Sequence, residues 1–177
     1  MTHHDGPGSS TGAMIAAGGG VLAVIGAFLP WFKSTVSYST ELFGGAIPDQ
    51  SEAFSGMKDW TGIVALLAGL VVAGAAGAII AMKGQGSARM MATLAAVGGI
   101  VVILAAILGF VRIKNTAGAA VDQLGALGGG VDISTGAGLG LYLSAIGGLL
   151  GAIGGFKAKG EVGGAAPAMM PPAPPAA

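Results

Sequence analysis

The chain has 177 residues, of which 53% are hydrophobic and 9% charged, with a mean hydropathy of +0.80; a soluble domain carries about 25% charged residues, so the composition is that of a membrane protein. Eight Lys and Arg balance eight Asp and Glu, which excludes the electropositive surface that nucleic acid requires. The absence of cysteine removes disulfides, thiolate metal sites and cysteine nucleophiles together, and 35 glycines without a Gly-X-Y period exclude collagen.

Residues 1–11 read as a disordered tail. His3 and His4 lie there beside Asp5; a histidine third from a free amine can bind Cu(II) or Ni(II), but paired histidines in a tail are ordinarily solvated, and no metal or cofactor is assigned. Four uncharged runs then follow, 12–32, 61–82, 90–111 and 138–156, each long enough to cross about 30 Å of hydrocarbon as a helix. The predicted fold is all-α: an integral-membrane four-helix bundle over 12–156. No Lys or Arg precedes the first run and no small-x-small site follows it, so it reads as a retained anchor rather than a signal peptide. Its end, Leu29-Pro30-Trp31-Phe32-Lys33, combines a helix-ending proline with an amphipathic indole, and Trp60 opens the second run in the mirror position. Trp31 and Trp60 are therefore expected as interface anchors on one side of the bilayer, with Phe110 near the same level.

Between the first two runs, Ser34 to Thr40 favours β structure and is followed by Gly44-Gly45 and Pro48-Asp49, so a short β-hairpin is expected in this external loop. The loop also carries Glu41, Asp49, Glu52 and Asp59 with Tyr38, Phe43 and Phe54. These can bind a cation or a partner, but acids in a loop more commonly serve to solubilise it. Lys83 to Arg89 is a tight connection, and a short interfacial helix through Ala119, Val121, Leu124 and Leu127 is expected before Gly128-Gly129-Gly130. Residues 157–177 read as a disordered, Ala/Pro-rich tail whose Pro171 to Pro175 offers overlapping P-x-x-P spacings. Lys and Arg divide evenly between the two sides. The compact basic connection and basic tail favour both termini in the cytoplasm, with the acidic loops outside the inner (plasma) membrane.

Side-chain size segregates around each helix at 100° per residue. In the fourth run Gly140, Ser144, Gly147, Gly148, Gly151, Gly154 and Gly155 share one arc, and bulky residues take the opposite side. The first run repeats this through Gly12, Ala16, Gly19, Ala23 and Gly26, and the third through Ala95, Gly98, Ala105, Ala106 and Gly109. The second is the least regular, with Gly62, Ala65, Gly69, Ala73, Ala76 and Gly77 interrupted by Leu66 and Ile80. Small residues at such spacing let helix backbones approach in lipid, where dispersion rather than the hydrophobic effect drives association. Gly19, Gly26, Gly98, Gly109, Gly140, Gly147, Gly151 and Gly155 are the expected helix-packing residues. Their stripes can satisfy one another within the bundle or meet another membrane protein or a second copy.

No Asp, Glu, His, Lys or Arg lies within the runs, whereas pumps and intramembrane enzymes usually place such groups at membrane depth. The expected role is therefore non-enzymatic: a scaffold, accessory or assembly subunit. The alternatives are a component of an oligomeric channel or transporter, or an envelope sensor binding through the first loop. Sliding the sequence by 79 residues sets Gly19-Gly20 on Gly98-Gly99, Trp31 on Phe110, Lys33 on Arg112 and Gly69 on Gly148. In so small an alphabet such matches arise easily, and by themselves they establish no duplication.

With Leu29-Pro30-Trp31 ending the first run, and Gly138-Leu139-Gly140-Leu141-Tyr142-Leu143 followed by paired glycines in the fourth, the chain resembles small bacterial four-span proteins of uncharacterised function. Over 12–156 its topology is also similar in outline to claudin-type and tetraspan proteins, whose larger first external loop bears strand structure. It lacks the Trp-Gly-Leu-Trp region and cysteine pair of claudin loops, and no functional residue carries over.

Overall fold

The computed structural model describes residues 11–38, 50–81, 85–125 and 131–163. His3 and His4, Glu41, Phe43 and Asp49, Lys83, the Gly128 to Gly130 break and the proline-rich tail lie outside the described residues. Four helices account for most of the remainder: α1 Thr11–Phe28, α2 Trp60–Ala81, α3 Gln85–Gly125 and α4 Leu139–Gly163. Each contains a stretch long and apolar enough to cross a membrane. They form a closed ring in which each packs on its two sequence neighbours and α4 returns to α1; both diagonals touch as well.

The fold is not purely helical. Strands β1 Pro30–Tyr38, β2 Gln50–Ser55 and β3 Val131–Ala137 form an antiparallel sheet in the order β2-β1-β3 at one end of the bundle. The expected hairpin is thus enlarged by a strand from the third connection, with Lys33 paired to Ala53 on one side and Gly136 on the other. Expected as a helix to residue 32, the first run stops at Phe28. Pro30 has no backbone N–H to continue the ladder, and the β-branched, polar residues beyond it pair as a strand instead.

Two further boundaries differ from expectation. The third run continues without a break to Gly125, taking in Ala119, Val121 and Leu124 of the predicted interfacial helix (Leu127 lies outside the described residues), giving 41 residues and a length of about 60 Å. The helix packs on β3 and runs on through Asn115, Thr116 and Gly118, which are weak helix formers. The fourth helix likewise extends past Phe156 to Gly163, and its Glu161 carboxylate accepts a hydrogen bond from the Gly12 N–H at 3.2 Å. That acid at the amino end of α1 satisfies a donor the helix leaves open and suits its dipole.

Residue size determines which way each helix faces. The interior consists largely of glycine and alanine, while Met14, Phe28, Leu67, Leu104, Leu149 and Phe156 are all exposed. A water-soluble bundle has the opposite arrangement, with its large apolar residues inside. The buried positions recur every 3.5 residues, as in Ala65, Ala68, Val72, Ala75 and Ile79 of α2. This is the period that keeps one seam facing a neighbour when helices wrap around each other. It explains why α2 departs from its expected stripe: Gly77 is exposed and Ala73 half-buried, and Val72 and Ile79 turn inward in their place.

Candidate functional site

Backbone meets backbone along the seam between α1 and α4. Gly12, Gly19 and Gly26 recur every seven residues and run antiparallel to Gly154, Gly147 and Gly140. A Cβ placed on Gly19 would stand 2.5 Å from the Gly151 nitrogen and 2.6 Å from the Gly147 oxygen. One on Gly147 would stand 2.5 Å from the Ala23 nitrogen and 2.6 Å from the Gly19 oxygen. At the sheet end a Cβ on Gly140 would come within 2.6 Å of the Gly26 and Leu29 oxygens, and one on Gly26 within 2.5 Å of Ser144 Oγ. No side chain larger than hydrogen fits at such positions, so their close contact is set by the sequence itself.

The other expected packing residues do different jobs. Gly155 lies against the backbone of Ala92 and Ala96 in α3. Gly98 and Gly151 both receive Val72, whose methyls would stand 2.8 and 3.0 Å from Cβ atoms placed on them; Val72 thereby fills the centre of the bundle. Gly109 makes room for an indole, with Trp31 Cζ3 2.9 Å from where its Cβ would be.

That indole corrects an expectation. Trp31, expected outward at the interface, is instead 1% exposed and sits inside the junction between bundle and sheet. The Gly26 carbonyl would normally accept from the residue four positions on, but that residue is Pro30. Trp31 Nε1–H supplies the missing donor at 2.9 Å. The register of β1 on β2 shifts between Pro30 and Phe32, which frees Trp31 from the ladder and turns its side chain into the bundle. Gly56 lies against the same ring, and the Gly138 N–H donates to the Trp31 carbonyl at 2.6 Å. Sequence reasoning singled out neither Gly56 nor Gly138 for packing; the proline with no donor beside a residue able to supply one was the available signal.

Trp60, by contrast, is exposed, and the Arg112 guanidinium lies 5.8 Å over its ring. Arg112 also pairs with Asp59 at 3.4 Å, while Asp59 accepts from Thr61 Oγ1 at 2.8 Å, tying the start of α2 to α3. Lys58 over Phe54 at 5.0 Å and Lys114 over Phe110 at 5.3 Å repeat the cation–aromatic pairing at this end. Phe54 in turn stacks on Phe32 across the strands at 4.8 Å.

Of the polar groups within the helices, Thr93 donates to the Arg89 carbonyl one turn back at 3.0 Å. Ser144 Oγ is fully buried and has no hydrogen-bond partner among the described residues. Ser144→Ala removes that unpaired hydroxyl while keeping the Cβ, and is expected to stabilise the bundle by about 1 kcal/mol, read as a higher melting temperature in detergent. No group of three or more His, Asp or Glu able to hold a metal occurs among the described residues. Compared with known proteins, the chain matches no family model and no curated protein.

Proposed function

We propose that this chain is a multi-pass protein of the inner (plasma) membrane, with both termini in the cytoplasm, that acts by packing rather than by chemistry. Its role is that of a scaffold, accessory or assembly subunit. The observation carrying the membrane reading is the inverted size pattern. Glycine and alanine occupy the inside, and the bulky apolar side chains face outward, where only lipid or another apolar surface suits them. The charged groups agree with this: Lys58, Asp59, Arg112 and Lys114 gather at one end of the bundle and Arg89, Lys157 and Glu161 at the other, with uncharged helix between.

The non-enzymatic reading is supported by the lack of Asp, Glu, His, Lys and Arg within the four runs. The filling of the centre by Val72 disfavours a passage through one copy, so the channel alternative needs a path between copies. The exposed helix faces and the sheet end are the surfaces left for a partner or a second copy.

The chain is expected to stay with the membrane pellet after alkaline carbonate extraction; release into the supernatant overturns the membrane reading. Because it has no cysteine, single-cysteine variants report without background. A nitroxide attached in detergent to Leu67→Cys is expected, after reconstitution, to be relaxed more by lipid-soluble oxygen than by a water-soluble nickel chelate; the reverse overturns the membrane reading. A C-terminal phosphatase fusion is expected to be inactive outside the cell, and activity there inverts the topology. Native mass spectrometry from mild detergent tests the assembly role, expecting a defined complex; a lone monomer under all mild conditions overturns it.

A further inference from the structure

Two halves of the bundle make the same contacts with the same atoms. A Cβ on Gly20 of α1 would stand 2.6 Å from the Ala73 nitrogen and 2.9 Å from the Gly69 oxygen of α2. Seventy-nine residues further along, Gly99 of α3 meets the nitrogen of Ala152 and the oxygen of Gly148 on α4, the latter at 2.6 Å. The reverse contacts repeat as well. A Cβ on Gly69 would face Ala23 and Val24 at 3.1 and 3.3 Å, and one on Gly148 would face their counterparts Val102 and Ile103, both at 3.0 Å.

The same shift carries every buried position of α2, from Thr61 to Ile79, onto a buried position of α4, from Gly140 to Ala158. It carries the buried positions of α1 onto those of α3 with one exception, Gly12, whose counterpart Met91 is half-buried. The helix starts correspond too: Gly62 N–H donates to the Asp59 carbonyl at 3.1 Å, and Leu141 N–H to the Gly138 carbonyl at 3.2 Å. A shared small alphabet explains matching letters, but not matching contacts. Connections are free to differ in length, so a single shift that serves both helices and their starts is not imposed by bundle geometry.

The halves differ where they meet. In place of Gly147 and Gly151 of α4, α2 has Ala68 and Val72. A Cβ on Gly19 would stand 2.6 Å from the Gly147 oxygen, whereas one on its counterpart Gly98 would stand 3.4 Å from the Ala68 oxygen. The seam between α2 and α3 is the wider one, and Val72 occupies the difference and reaches across to Gly151.

We infer that the chain is two copies of one helical hairpin, α1–α2 and α3–α4, docked as an internal pseudo-dimer about a two-fold axis along the bundle, in which Ala68 and Val72 against Gly147 and Gly151 decide which copy fills the centre. The docking surface of each half is therefore one that fits a second copy of the same hairpin. The inference rests on contacts within the bundle and does not depend on the membrane reading.

Exchanging the two sets in the full-length chain tests it. A68G/V72G opens a void and G147A/G151V creates a clash, and each is expected to lower the melting temperature in detergent by about 5 °C or more, or to prevent folding. Combining all four substitutions moves the filling residues from one copy to the other at unchanged composition, so helix propensities cancel. This chain is expected to recover most of the loss, with helical circular dichroism and a monodisperse elution like the parent's. Recovery of less than half the loss of the worse pair, or pairs that melt with the parent, overturns the inference.

Discussion

Replacing Gly147 by leucine is expected to abolish the folded bundle, while the same substitution at Gly74 leaves it intact. The two glycines lie in apolar helices and differ in what surrounds them. A first side-chain carbon at Gly147 runs into Ala23 and Gly19 of α1, whereas at Gly74 nothing lies within 4 Å. A leucine at Gly147 therefore has to part α1 from α4 along their length, which forfeits the dispersion contacts that hold them. Alanine gives the graded version. Gly147→Ala is expected to cost roughly 1–3 kcal/mol by overpacking, and Gly74→Ala to stabilise by up to about 1 kcal/mol through helix propensity. Thermal melts followed by circular dichroism in detergent, with size-exclusion profiles, read both. Equal sensitivity at the two positions would show that the glycines are not close-packing residues.

The second large effect centres on Trp31. Trp31→Ala is expected to cost roughly 3–5 kcal/mol by emptying the junction. Trp31→Phe keeps most of the bulk but leaves the Gly26 carbonyl without a donor, for about 1–3 kcal/mol. Fluorescence separates the two tryptophans. In a Trp60→Phe chain the remaining Trp31 is expected to emit in the blue and resist iodide, and in a Trp31→Phe chain the exposed Trp60 is expected to respond to brominated lipid. A Trp31 quenched as readily as Trp60 would place it back at the surface.

Much of this architecture is legible from residue size alone. The arc from Gly140 to Gly155 and the stripe from Gly12 to Gly26 can be read off by periodicity, because a helix that must bring its backbone to a neighbour has to be bare on that side. The errors come where the outcome depends on distant residues. Trp31 beside Pro30 has the local marks of a belt residue; that it turns inward depends on Gly56 and Gly109, which come from other segments to make its space. Val131, Ile133 and Thr135 alternate with smaller or more polar residues as a strand does, yet pairing required β1 to be already extended. On α2, counting 100° per residue rather than the 3.5-residue repeat is enough to move the stripe from Val72 and Ile79 to Ala73 and Gly77.

The outward placement of most bulky residues also determines how the protein tolerates change. In the bilayer proposed for this chain the acyl chains are fluid and conform to any knob, so leucine, isoleucine, valine, methionine and phenylalanine are expected to replace one another there at little cost. Inside, where two main chains touch, a single extra methyl has nowhere to go. A saturation survey of this chain would thus return the map of a soluble bundle turned inside out, with the buried glycines and alanines the least replaceable and the large outward residues free to drift, Trp31 excepted.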